Sequence, residues 1–385
     1  MTEPDTQDRT AMRVGIIGPT RVGKTTLINS LLRSGEGLLA RTAVRMRWAD
    51  GATEKMIQAQ RKELEGWRVS RQFSPGALRG TAEPFTFRLK LEAGVPGLEL
   101  LFELLDYPGA WLDPSLRTNR EADWEQCRTF IEDSSVLLMP VDAVVLMETV
   151  GQSERKYVPS ILTTPEVEDV VRDWARARHA NPDEPALVIV VPVRTESYFA
   201  DNGGVRDRAL DLYAQVKEVY GAVFDAIREE APGAVIRYAP VDTVGCVEFM
   251  SAQWAPQLNG DAPVFMAQYR VRRRPDGGAP EIRMAGINDV FVLLVQHLLS
   301  LSQRARAQEA GAARARADAA AELAVRNEGF WGNTLLWLTG EKAARRSRAQ
   351  ITRQMADLAD SSANALAEQL HRLAGLGLGA RARDL

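Results

Sequence analysis

Apolar residues are spaced along this chain in two rhythms. Short, nearly continuous apolar runs occur at 13–17, 98–105, 136–143, 186–191 and 235–240. Between them stand stretches with apolar positions three or four residues apart, at 24–32, 123–134, 165–179 and 206–229. The first rhythm predicts buried strands and the second predicts amphipathic helices. Their alternation predicts an α/β fold, a mainly parallel sheet covered by helices on both faces. One segment departs: 85–91 alternates apolar with polar, as a half-buried strand does. Turn residues at 94–97 join it to 98–105 as a hairpin. The long stretch 33–84 holds one further helical pattern, at 54–65.

Beyond residue 250 the pattern changes. Segments 264–274 and 281–284, separated by Pro275-Asp276-Gly277-Gly278, predict a β-hairpin. Helical patterns follow at 288–301, on through an Ala/Arg-rich stretch to 325, and at 341–373. The expected organisation is a disordered tail at 1–10, an α/β domain at 11–250, a connecting hairpin at 251–285 and a helical accessory region at 286–385. A chain of 385 residues has room for two or three such units.

Charge and composition narrow the reading. The net charge is −3, which argues against a nucleic-acid partner. The two cysteines, Cys127 and Cys246, have no metal-ligand spacing and read as small buried hydrophobes. The three histidines are far apart, so a His-built metal site is not expected. No apolar run reaches the ~20 residues of a membrane span. The polar start of the chain lacks a signal pattern, and a cytoplasmic location is expected.

Two motifs carry chemistry. The first is Gly18-Pro19-Thr20-Arg21-Val22-Gly23-Lys24-Thr25-Thr26, set between a strand and a helix. That setting is what a phosphate-binding P-loop needs. Glycines let the backbone wrap a phosphate, successive N–H groups point inward, and the helix adds its positive end. Lys24 is expected on the β and γ phosphates and the Thr25 hydroxyl on Mg²⁺. The second motif, Asp106-Tyr107-Pro108-Gly109, ends an apolar strand. Asp106 is placed to hold the metal through water, and Gly109 to offer its N–H to a γ-phosphate. Both motifs fall at carboxyl ends of strands, where an open α/β sheet binds its ligand.

With these residues in order, the first 250 residues resemble the translation-factor-like regulatory class of P-loop GTPases. Leu105-Asp106-Tyr107-Pro108-Gly109-Ala110-Trp111-Leu112 is similar to a stretch of the bacterial YcjX-like GTPases and their double-GTPase relatives. The resemblance implies GTP and Mg²⁺ as ligands. It makes Thr81 the switch threonine that closes over the metal beside Thr25 and Asp106, ahead of Thr42 and Thr53.

The chain departs from this class at two places. Val193-Arg194-Thr195-Glu196 stands where the class carries Asn-Lys-x-Asp for guanine. Arg194 could lie over the base and Glu196 could accept its hydrogen bonds, or the two could pair at the surface. Ala110 stands where many members orient the attacking water with glutamine. Arg21 resembles the P-loop arginine of guanylate-binding proteins, which reaches the phosphates when two such domains meet. An internal arginine finger is one reading of it, and a solvated loop arginine is the other. The expected function is a Mg²⁺-dependent GTPase, a switch or assembling unit whose helical tail meets a protein partner. A nucleotide-bound scaffold and an ATPase are the rivals. The apolar segment 330–338 is expected to be a buried or partner-facing turn rather than a membrane tip.

Overall fold

The computed structural model describes residues 11–40, 44–70, 81–92, 99–180, 184–202, 206–255, 264–272, 281–301 and 378–385, with a few single positions between them. The expected disordered tail, the turns at 94–97 and 275–278, the Ala/Arg-rich stretch and the apolar segment 330–338 lie outside the described residues, as does nearly all of 341–373.

Strand β1 (Met12–Ile16) leads through the P-loop into helix α1 (Lys24–Leu39). Strand β2 (Arg45–Trp48), helix α2 (Gly51–Ser70), strands β3 (Phe85–Glu92) and β4 (Glu99–Asp106) and helix α3 (Glu121–Glu132) follow. Strand β5 (Val136–Asp142) precedes three short helices, α4 (Ala143–Glu148), α5 (Gln152–Arg155) and α6 (Val158–Ile161), and the longer α7 (Thr164–His179). Then come β6 (Leu187–Val193), α8 (Ala209–Val219), α9 (Gly221–Glu230) and β7 (Val235–Tyr238). β8 (Val247–Ala255) and β9 (Val264–Val271) form a second, two-stranded sheet whose Phe249, Phe265 and Tyr269 pack against the core of the main one. Helix α10 covers 287–301, and β10 (Arg383–Asp384) ends the described chain.

The main sheet has the order β10-β7-β6-β5-β1-β4-β3-β2. Strands β7, β6, β5, β1 and β4 are parallel. The two outer strands on one side, β3 and β2, and β10 on the other, pair antiparallel. This is an α/β P-loop NTPase fold. β5 and β6 are buried at every position because helices cover both faces. One face packs Trp124, Trp174, Val216 and Phe224 against the sheet, with the Trp174 indole donating to the Ser134 carbonyl at 2.7 Å. The other face packs Leu27, Leu31, Ile57, Val290, Phe291 and Leu294.

Four expectations change. Strand β2 lies inside the stretch read as loop and one helix. Its four residues give too short an alternation to stand out, and β3 supplies the pairing that holds it. The single helix expected over 206–229 is two, divided at Tyr220-Gly221, where glycine weakens continuation. The strand partner of β9 is β8, not 281–284. The backbone of Arg283 is engaged elsewhere: its N–H donates to the Gly245 carbonyl and its carbonyl accepts from Asn202. Finally, the region expected from 286 as accessory opens with α10, which packs into the same core as α1 and the sheet.

Candidate functional site

The P-loop wraps between β1 and α1. Gly23 caps the helix with φ 103°, a left-handed conformation that costs glycine nothing. Arg21 is also left-handed, at φ 63°, and there the side chain makes it a strained position. Lys24 is folded back into the loop. Its ammonium donates to the Gly18 carbonyl at 2.8 Å and the Pro19 carbonyl at 3.2 Å, and lies over the Tyr107 ring. Burial lowers its pKa to about 8, against the pull of Asp106.

Three oxygen-bearing residues meet in front of it. The Thr25 hydroxyl donates to Asp106 Oδ2 at 2.6 Å, and the Thr81 hydroxyl donates to the same oxygen at 2.7 Å. The two hydroxyl oxygens are 3.0 Å apart. With both protons directed at Asp106, no proton remains to separate them. The other carboxylate oxygen, Asp106 Oδ1, is buried with no hydrogen-bond partner. Burial raises the Asp106 carboxyl above its usual range, against hydrogen bonds from the two threonines and the charge of Lys24. An oxygen cluster with an orphaned carboxylate oxygen suits a hard divalent cation that keeps several waters. Among the described residues no group of three or more His, Cys, Asp or Glu could hold a metal, so hydroxyls and waters would complete the shell around Asp106.

Gly109 closes the site from above. A Cβ there would lie 2.5 Å from Lys24 Nζ and 2.5 Å from the Thr20 backbone nitrogen, so only glycine allows this approach. The turn behind it, Gly109–Leu112, is held by Arg117. Its guanidinium donates to the carbonyls of Trp111 at 2.5 Å and Leu112 at 2.9 Å and lies over the Trp124 ring. Ala110 directs no polar side chain to the site, and its carbonyl accepts from Asp113.

The loop after β6 sends Arg194 and Glu196 to different partners. Arg194 and Glu196 do not pair with each other. Arg194, left-handed at φ 61°, donates to Asp142 Oδ2 at 2.6 Å and to the Arg21 carbonyl. It thereby ties the loop after β6 to the P-loop. Asp142 uses its other oxygen to cap α4 through the N–H groups of Val144 and Val145. Glu196 turns inward, 2 % exposed, and one of its oxygens accepts the N–H groups of Val244 and Gly245 at 3.0 Å each. Arg21 is exposed and has no side-chain partner among the described residues.

The structure thus brings Lys24, Thr25, Thr81, Asp106 and Gly109 together beside the P-loop. Arg194 meets the loop at the Arg21 carbonyl, Arg21 itself is exposed, and Glu196 is held by the backbone after β7. Sequence reasoning missed Asp142, whose place between an apolar strand and a helix is an N-cap signal. It also missed Arg117, Tyr269 on β9, which interacts with Arg194, and Arg381, which reaches the loops after β6 and β7 from far along the chain.

Residues 13–171 match the family model of 50S ribosome-binding GTPases, which supports a P-loop GTPase domain in this part of the chain. No curated protein matches the chain. Among solved structures, it is similar to a chain of the signal recognition particle receptor SRb-GTP/SRX complex from Chaetomium thermophilum. Identity is 14%, covering 61% of this chain and 91% of that one, with a TM-score of 0.35. It is also similar to Methanosarcina barkeri Roco2 RocCORdC bound to GDP, at 11% identity over 63% of this chain and 46% of that one, with a TM-score of 0.24.

Proposed function

We propose that this protein is a Mg²⁺-dependent GTP-binding protein and slow GTPase, a nucleotide switch with its tail as effector. The observation that carries this reading is the meeting of Thr25, Thr81 and Asp106 beside Lys24 and Gly109. Thr25 and Thr81 come from elements far apart in sequence, and both reach the one carboxylate that ends β4. Lys24 and the loop N–H groups would neutralise the phosphates, Thr25, Thr81 and Asp106 would hold the ion, and Gly109 would report the γ-phosphate. The bound ion would supply charge neutralisation for the group in transfer. Loss of the triphosphate would leave Thr81 and Gly109 without their shared anchor, which is how such a segment changes state.

Hydrolysis would be slow because Ala110 cannot orient water. Exposed Arg21 is the residue free to act in its place, as a finger completed when two copies meet. The same alanine favours the second reading, a scaffold that holds nucleotide and hardly turns it over. Arg194, reaching the P-loop as it does, would lie along the base. The likeness of Asp106–Gly109 to YcjX-like GTPases supports placement near that group, and a cytoplasmic location fits the reading. Among the described residues no helix is long and apolar enough to cross a membrane.

Equilibrium binding of GTP, GDP and ATP, each with and without Mg²⁺, tests the proposal. GTP should bind at least about tenfold more tightly than ATP, the factor given by a difference of about 1.4 kcal/mol. Its Mg²⁺ dependence should vanish in Asp106→Ala. Equal affinity for ATP would overturn the guanine assignment. A Mg²⁺ dependence that survives in Asp106→Ala would overturn the metal site.

A further inference from the structure

We infer that Arg381 is a positioning residue for nucleotide binding: it clasps together the loops after β6 and β7, so that residues 378–385 complete the base side of the site. This rests on the nucleotide-binding reading above.

The clasp is built from a fork-shaped cation and two carboxylates. Arg381 Nη1 donates to Asp242 Oδ1 at 3.0 Å and Nη2 donates to Asp242 Oδ2 at 3.1 Å. On its other edge Nε donates to Asp201 Oδ2 at 2.8 Å, and Nη2 also reaches Asp201 Oδ1. The guanidinium carbon lies 4.1 Å from the centre of the Phe199 ring. Two parallel donations to each carboxylate are a geometry that arginine provides and lysine does not.

The carboxylates belong to different loops. Asp242 follows β7, is 0 % exposed, and also accepts from Thr195 Oγ1 and Asn202 Nδ2 at 2.6 Å each. Thr195, Phe199, Asp201 and Asn202 belong to the loop after β6. Thr195 lies between Arg194, which reaches the P-loop, and Glu196, which holds the Val244 and Gly245 N–H groups. Arg381, itself 6 % exposed, therefore touches both loops at their buried hinge. Its neighbours hold it there: β10 pairs with β7, Gly379 N–H donates to Asp289 Oδ1 at 2.8 Å, and Leu385 N–H donates to the Ile236 carbonyl. Without Arg381, the Asp242 carboxyl is left in a buried place with only the neutral donors Thr195 and Asn202. Relief then comes by opening the loops to water.

The test uses the full chain with Arg381→Ala, Arg381→Lys and Asp201→Asn, the last leaving Asp242 paired. Amide hydrogen exchange of 194–197 and 242–246 is read in nucleotide-free protein, and release of a fluorescent guanine nucleotide is read alongside. Arg381→Ala should speed exchange in both loops and nucleotide release by about tenfold or more, since breaking a buried charge pair acts on the off-rate. The Mg²⁺ half-saturation should stay unchanged. Arg381→Lys should restore part of the effect, and Asp201→Asn should give a smaller one. Unchanged exchange in both loops of folded Arg381→Ala would overturn the inference, as would equal loosening by Arg381→Lys. Should Arg381→Ala not fold, unchanged exchange in Asp201→Asn overturns it. If wild-type protein binds no nucleotide, the proposed function fails while the exchange measurement still decides the clasp.

Discussion

Glu196 accepts two backbone N–H groups in a place that water does not reach, close to a second carboxylate. Burial first, and then the charge of Asp242, push its pKa up to about 7 from the usual carboxylate value of 4.5. A carboxyl whose folded pKa is raised contributes stability below its unfolded pKa and loses that contribution as pH rises through the folded one. The protein should therefore lose stability at this residue between pH 4.5 and about 7. Glu196→Gln keeps an oxygen for the Val244 and Gly245 N–H groups and carries no charge. Its Tm relative to wild type should climb across that window, reaching an advantage of about a few degrees at pH 8. Thermal unfolding from pH 4.5 to 8 checks this, and a flat difference would mean that the carboxyl titrates normally. The P-loop cluster obeys the same physics. Lys24 and Asp106 are each pushed toward neutrality by burial, a cost that a bound polyanion and its cation would relieve.

Helices α1 and α10 meet where Gly35 faces Phe291. A Cβ on Gly35 would run into that aromatic ring, with Cζ at 2.9 Å. Alanine is the better helix former by up to about 1 kcal/mol, yet overpacking a filled contact costs about 1–3 kcal/mol. Gly35→Ala should therefore destabilise the protein, read as a lower urea midpoint with an unchanged slope. A stabilised variant would show that the ring yields freely. This contact also marks what could be read from sequence. β1, α1, β4, β5 and β6 were legible because continuous burial leaves one-dimensional patterns, as were Thr25 and Asp106 at their ends. Thr81 was reached by its place before β3 and by family resemblance. β2 and β10 were not legible: at four and two residues they are strands by virtue of their neighbours. The inward turn of Glu196 was hidden for the same reason, since its partners at 244 and 245 lie on another loop.

Across the whole molecule, the sheet is built outward from β1 and finished by segments distant in sequence. Arg381 lies 139 residues from Asp242 and 186 from Thr195. The contact between Gly379 and Asp289 sets the two ends of the intervening chain side by side at the start of α10. In engineering terms, residues 302–377 are a cassette entered from the end of α10 and left beside the start of that same helix. From Asp289 to the end of α10 the helix rises about 18 Å. A flexible linker of about ten residues has a root-mean-square span close to that distance. Replacing 302–377 with such a linker should leave a folded, nucleotide-binding protein with its GTP affinity within about threefold of wild type, a difference of about 0.7 kcal/mol. Loss of binding in the folded product would mean that the cassette contributes to the site itself. Its retention would make the position a ready point for exchanging one inserted segment for another.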